Sequence, residues 1–279
     1  MTFSVNTNVG AMIALQNLSK TQSDLMTTQN RVNTGLKVAT AKDNGAIWAI
    51  AQNQRATANS LNAVVDSLNR GQSTVDVALS AGSSVSDLLL QMKEKALASS
   101  DVTLDANSRI ALNDEFKSLR DQISKVVTNA VFSGGNMIKS AGTTIQALAN
   151  ADATSVITVA TQDLSLGGAA LTTNIGASAS IGTVTTATAM IAFVNTAITN
   201  VSSALSKLGT GSKSLGSHMT FIHKLQDTVN AGIGNLVDAD LAKESARLQA
   251  LQVQQQLGAQ ALSIANQAPQ IVLQLFRGG

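Results

Sequence analysis

The longest regular pattern in the chain is a 3,4 alternation of apolar and small residues through Leu61, Val64, Leu68, Gly71, Val75, Ala78, Gly82, Val85, Leu89, Met92 and Ala96. Such a register is the seam of a helix that packs along its whole length. The turn signal Asp43-Asn44-Gly45 precedes it and Ser99-Ser100-Asp101 follows, so the pattern predicts one helix near residues 46–97, roughly 75 Å long at 1.5 Å per residue. Gly71 and Gly82 lie on the seam itself, which implies either a close approach of a partner or a local loosening of the coil.

A second seam runs through Leu112, Phe116, Leu119, Ile123, Val126 and Ala130, with Asp105 or Asn107 placed to cap its start. A third runs through Ile191, Val194, Ile198, Val201, Leu205, Leu208, Ser212, Leu215, Met219 and Ile222, and Gly209-Thr210-Gly211 is expected to interrupt it. Three such seams can share one bundle core. Between them, residues 131–185 are rich in Gly, Ser and Thr and carry charge only at Lys139, Asp152 and Asp163. The runs Thr154–Val159 and Leu164–Leu171, the latter punctuated by Gly167-Gly168, predict strands and a hairpin; the alternative is a flexible Ser/Thr-rich insert.

The two ends carry matching stripes. Leu18, Leu25 and Val32 repeat every seven residues, and Gln22 and Gln29 are expected to fill the other half of that seam. Near the other end Val237, Leu241, Leu248, Leu251, Leu262, Ala265, Val272 and Phe276 keep one 3,4 register, interrupted by Glu244, Gln255, Gly258 and Pro269. An isolated helix with such a stripe is marginal in water, so the ends are expected to pair with each other or with other copies of the chain. The fold class that follows is mainly α: a long-helix coiled-coil bundle with paired terminal helices and a small β-hairpin insert. The expected domains are 1–42 with 236–279, 43–130 with 186–235, and the insert 131–185.

Composition narrows the chemistry. The 279 residues include no Cys or Tyr, two His, one Trp and one Pro, so disulfides and thiolate metal sites are excluded and few groups remain for acid/base work. A net charge of +2 drawn from only 13% charged residues gives no reason to expect nucleic-acid binding. No apolar run approaches the ~18 residues of a membrane span. The first basic residue is Lys20, so no secretory signal is expected either, and export would use a route that reads no cleaved leader.

Candidate sites dissolve one by one. Gly209-Thr210-Gly211-Ser212-Lys213-Ser214 has the wrong glycine spacing for a phosphate loop. His218 and His223 would stand about 140° apart on a helix, which makes zinc binding improbable. Asp238, Asp240 and Glu244 read best as acidic residues opening a helix. Lys93, Glu94 and Lys95 read as a solvated charged face. No catalytic constellation, metal site or cofactor is expected.

Residues 235–277, NLVDADLAKESARLQALQVQQQLGAQALSIANQAPQIVLQLFR, closely resemble the carboxyl end of bacterial flagellins. The amino end agrees through Val5-Asn6-Thr7-Asn8, Arg31-Val32-Asn33-Thr34-Gly35-Leu36-Lys37-Val38 and Ala41-Lys42-Asp43-Asn44-Gly45-Ala46; Asn44 stands where many members carry a second Asp. The resemblance implies a short flagellin without large outer domains, a structural subunit that polymerises with itself and with other flagellins into an extracellular filament for motility. It further implies unfolded export through the flagellar type III apparatus with an export chaperone, contacts with filament cap and junction proteins, terminal helices lining the inner tube, and no membrane insertion. Those helices are expected to order on assembly. The assembly seam is then Leu18, Leu25, Val32, Leu241, Leu248, Leu251, Leu262 and Phe276. A hook-filament junction protein and a secreted helical effector of a type III system are the alternatives. Flagellins sensed by the animal innate receptor resemble L-Q-R-V-R-E-L-A where this chain has Leu89-Leu90-Gln91-Met92-Lys93-Glu94-Lys95-Ala96. Gln91, Lys93, Glu94 and Lys95 are the positions where the resemblance places that segment, and its departures imply weak recognition.

Overall fold

The computed structural model describes residues 7–171 and 173–277; the side chains of 173 and 268–277 are outside the description. Its elements are α1 (Val9–Thr34), α2 (Gly45–Ser99), α3 (Ala106–Asn129), β1 (Ile145–Leu148), β2 (Val156–Val159), α4 (Val184–Val237) and α5 (Leu241–Arg277). The chain divides into two compact units, residues 1–56 with 228–279 and residues 57–227.

The helix ends have local causes. The Asn8 side chain accepts from the Ala11 amide, and α1 stops at Gly35, whose φ of 72° lets its amide turn back to the Arg31 carbonyl. The Asn44 side chain accepts from the Ile47 amide at the start of α2. Asp105, one of the two expected caps, accepts from the amides of Asn107 and Ser108. Thr183 and Thr186 exchange side-chain and backbone bonds at the start of α4, and Asp240 accepts from the Lys243 amide at α5.

In the unit 57–227, α2 and α4 run antiparallel, with α3 folded back along α2. The expected α2 seam is the observed one: Leu61, Val64, Leu68, Val75, Ala78, Val85, Leu89, Met92 and Ala96 are all buried. From α3 come Phe116, Ile123 and Val127, and from α4 Val194, Val201, Leu208, Leu215 and Ile222. Each large side chain taken fully out of water contributes about 1.5–3 kcal/mol. By composition α4 is long and apolar enough to cross a membrane, but this apolar face is what it packs into the core.

Gly209-Thr210-Gly211 does not interrupt α4, which is continuous over 54 residues. A Cβ at Gly211 would lie 2.6 Å from a Val159 methyl, so this glycine admits β2. At Gly82 a Cβ would collide with the Leu205 side chain of α4, and at Gly71 it would press on Ile145 of β1. Close approach, and not a loosened coil, therefore explains both seam glycines.

The insert forms an antiparallel hairpin with Ile145 opposite Val159 and Leu148 opposite Val156. Strand β2 falls inside the expected run 154–159. The run Leu164–Leu171 is not a strand: Asp163 accepts from the Ser165 amide and hydroxyl, Gly167 takes φ 77°, and the Ala170 amide returns to the Asp163 carbonyl. An Asx-type turn has replaced the extended backbone, and it buries Leu164 and Leu171.

The α2–α3 corner is held by a buried arginine. The Arg109 guanidinium donates to the carbonyls of Ser99, Asp101 and Leu104. Around it the Ser99 hydroxyl donates to the Ile181 carbonyl and the Asn113 side chain accepts from the Ile181 amide, tying the 181 loop to both helices.

Candidate assembly surface

In the unit of 1–56 with 228–279, α1 and α5 lie side by side. The inner seam of α1 is Ala11, Ala14, Leu18, Thr21, Leu25, Thr28 and Val32, all buried or half-buried. Gln22 and Gln29, expected in this seam, are exposed, and Thr21 and Thr28 take their places. Threonine suits a helix seam better than glutamine because it is short and can return its hydroxyl to the preceding turn, as Thr21 does to the Asn17 carbonyl at 2.9 Å.

On α5 the facing seam is Glu244, Leu248, Leu251, Gln255, Gly258, Leu262 and Ala265. Of the expected assembly residues, Leu25 and Leu251 are buried, Leu18, Val32, Leu248 and Leu262 are half-buried, and Leu241 is exposed; the Phe276 side chain lies outside the described residues. A Cβ at Gly258 would touch Leu18 at 3.2 Å, so this glycine sets the local spacing of the pair. Beside it runs an open groove of about 600 Å³ lined in part by Ala14, Leu18, Thr21, Leu257 and Ala261.

Among the described residues an ion pair crosses the seam, Arg31 Nη1 to Glu244 Oε1 at 3.1 Å, with the glutamate buried. A paired polar group among apolar layers acts as a register pin, since any slip would strand the carboxylate. Next to it, Asp43 accepts from the Ala39 and Thr40 amides and the Thr40 hydroxyl. Those bonds, led by the Thr40 amide and assisted by the Arg31 charge, hold its carboxyl below the usual range. The amides of Lys37 and Val38 donate to the Val237 carbonyl, and Leu36 bridges to Asp238.

A second stripe on each terminal helix was not anticipated. On α1, Met12, Leu15, Ser19, Gln22 and Met26 keep a 3,4 spacing and are all exposed; on α5 so do Ala250, Val253, Leu257, Gln260 and Ile264. Met12 is 63% exposed and Ile264 69%. The signal was in the sequence as a second heptad phase beside the first. Each terminal helix thus has one buried or half-buried seam and, beside it, an exposed stripe whose apolar members are Met12, Leu15 and Met26 on α1 and Ala250, Val253, Leu257 and Ile264 on α5.

The other candidates find ordinary places. His218 Nε2 bonds the Ala149 carbonyl at 2.7 Å and its ring lies near Phe221, while His223 is exposed. Ser212 accepts from Gln72 of α2. Among the described residues no group of three His, Asp or Glu side chains could hold a metal. In the receptor-like segment Gln91 and Glu94 are exposed, Lys93 is half-buried, and Lys95 pairs with Glu115 of α3 at 2.9 Å.

Two family models match this chain: the bacterial flagellin N-terminal helical region over residues 5–144 and the bacterial flagellin C-terminal helical region over residues 191–276. Flagellin FljK of Caulobacter vibrioides is 56% identical over 98% of this chain and 98% of its own length. A flagellin of Brucella melitensis is 38% identical over 99% of each. The crystal structure of Bacillus cereus flagellin is 20% identical, covering 55% of this chain and 86% of that one with a TM-score of 0.49. The two family models and the full-length relatives define a helical structural protein. The chain belongs to the bacterial flagellin family, and it is a structural subunit that self-polymerises into the extracellular flagellar filament. The junction-protein and effector alternatives are not favoured by these matches.

Proposed function

We propose that the exposed stripes of α1 and α5 are the surfaces through which copies of this chain pack in the filament, while the seam of Leu18, Leu25, Val32, Leu248, Leu251 and Leu262 holds each chain's own ends together. The observation that carries this reading is the pair of heptad phases on each helix, one buried or half-buried and one exposed and mostly apolar. Repeated head-to-tail contacts of this kind generate an open helical polymer. The test is Leu257→Glu and Ile264→Glu in the full chain. Both variants should keep their helical circular dichroism and lose seeded polymerisation; normal polymerisation by both would refute the assignment.

In this reading residues 1–42 with 236–279 line the inner tube, residues 43–130 with 186–235 form the shaft, and the hairpin insert 131–185 braces it. Export is through the flagellar type III apparatus as an unfolded chain with a chaperone, followed by contacts with cap and junction proteins. The lack of cysteine and the single proline favour a chain that is threaded unfolded and then refolds as long helices. Secretion that persists in cells lacking the flagellar export apparatus would overturn that route.

The segment Gln91, Lys93, Glu94 and Lys95 is a weak ligand for the animal innate receptor. Lysine lacks the bidentate fork of arginine, and Lys95 is already engaged by Glu115, which raises its pKa through their hydrogen bond. Changing Gln91→Arg, Lys93→Arg and Lys95→Leu together should raise potency in reporter cells, and parent potency equal to a responsive flagellin would refute the reading.

A further inference from the structure

Of the seven methionines, five fall into a buried and an exposed group, while Met219 of α4 is half-buried and Met1 lies outside the described residues. Met92 and Met137 are fully buried and Met190 is 6% exposed, inside the core of the unit 57–227. Met12 and Met26 of α1 are 63% and 56% exposed. They lie two heptads apart on the outer stripe, with Leu15 between them also exposed. Both residues are exposed in the monomer, whereas Leu25 and Thr28 of the same helix are buried on its seam.

We propose that Met12 and Met26 are a reversible oxidation site through which hydroperoxides control assembly of this subunit. The thioether sulfur attacks one peroxide oxygen, the O–O bond breaks, and the sulfur keeps that oxygen as S–O while its proton passes to the departing oxygen, which leaves as water from hydrogen peroxide or as the alcohol from an organic hydroperoxide. The product is a sulfoxide, polar and able to accept hydrogen bonds, where the outer stripe needs an apolar contact. Oxidation follows access, so the same chemistry is slow at Met92, Met137 and Met190. In the filament the stripe is covered and the two sulfurs are protected, so oxidants act on subunits before incorporation. A thiol-dependent methionine sulfoxide reductase reverses the lesion. The effect on assembly rests on the reading of the outer α1 stripe as a polymer surface; the selective chemistry does not.

The experiment treats the purified full chain, as monomer and as preformed filament, with graded hydrogen peroxide. Peptide mass mapping locates each added oxygen, and seeded polymerisation follows. Monomer should take up oxygen at Met12 and Met26 well before Met92, Met137 and Met190, and filament should take it up at Met12 and Met26 at least about tenfold more slowly. The oxidised monomer should show a critical concentration raised about tenfold or more, since two apolar contacts are lost, and sulfoxide reductase should restore it. A Met12→Leu/Met26→Leu variant, whatever its own critical concentration, should show the same value before and after peroxide. Equal oxidation of buried and exposed methionines, normal polymerisation of the doubly oxidised chain, or continued peroxide sensitivity of the leucine variant would each overturn the proposal. By contrast, polymerisation of the Leu257→Glu and Ile264→Glu chains would overturn the packing surface while leaving the oxidation map intact.

Discussion

Replacing Arg109 by Met removes a guanidinium that is 9% exposed and donates to three carbonyls at the α2–α3 corner. Asp101 is exposed and Leu104 half-buried, so water can serve their carbonyls after the change. Ser99 is fully buried, and its carbonyl loses a charged donor in a place water does not easily reach. Leaving a buried acceptor unpaired costs about 1–3 kcal/mol. Loss of a cation from the carboxyl end of α2 adds about 0.3–1 kcal/mol, and the methionine stem retains most of the packing. The expected loss is about 1.3–4 kcal/mol. At about 2–4 °C per kcal/mol for a domain of 150–250 residues, this lowers the melting temperature by about 3–16 °C. Arg109→Lys should fall between parent and Arg109→Met, since one ammonium cannot span three divergent carbonyls. Thermal unfolding of the full chain, followed by far-UV circular dichroism, measures the effect, with the exposed Arg70→Met as control. A melting temperature for Arg109→Met within 1–2 °C of that control would show that the corner is held by apolar packing alone, contrary to the argument.

Deleting residues 1–40 or 240–279 should leave a folded helical monomer, because the internal unit has its own core, and should abolish polymerisation; loss of cooperative unfolding on deletion would refute this. Two glycines two residues apart should respond with opposite signs: Gly209→Ala, with open space around it, gains about 0.5–1 kcal/mol, whereas Gly211→Ala presses on Val159 and loses about 1–3 kcal/mol, both read from chemical unfolding. Asp101 and Asp105 have lowered pKa values, from bonds led by the Thr103 amide and the Ser108 hydroxyl respectively. Their folded values lie below the unfolded ~3.9, so their stabilisation is complete above that value and is lost as pH falls through the folded one. A double Asp→Asn variant at 101 and 105 should therefore lose less stability between about pH 5 and pH 3 than the parent does, and an unchanged slope would refute the assignment.

The α2 seam was legible because eleven positions repeat one rule, and all eleven are buried. The ends were legible only in part. Leu18, Leu25 and Val32 are consistent with two heptad phases, and the choice between Thr21/Thr28 and Gln22/Gln29 is made by the partner helix, which the local pattern does not contain. The same reason hid the outer stripe. In the insert, Ile145–Leu148 lacks the density of β-branched residues that marked Val156–Val159, and it becomes a strand because β2 pairs with it. The run 164–171 had strand composition, but Asp163 offers the backbone a competing set of bonds. Gly209 and Gly211 suggested a break because sequence alone cannot distinguish a glycine that frees the backbone from one that makes room for a neighbour.

A heptad seam has a weakness as a ruler: sliding one helix past another by seven residues, about 10 Å, brings apolar layers back opposite apolar layers. For α2 and α4 such a slip would set Leu205 against Val75 or Leu89 in place of Gly82, and two bulky side chains would compete for one space. Gly71 is a second notch on the same helix, and it admits Ile145 of β1, so the hairpin is placed against α2 by a feature that does not repeat every seven residues. The long helices thus carry an absolute zero mark as well as a repeating scale. A subunit that must repeat the same length thousands of times along a filament depends on that mark, because an error of one heptad in one copy would be inherited by every contact stacked upon it.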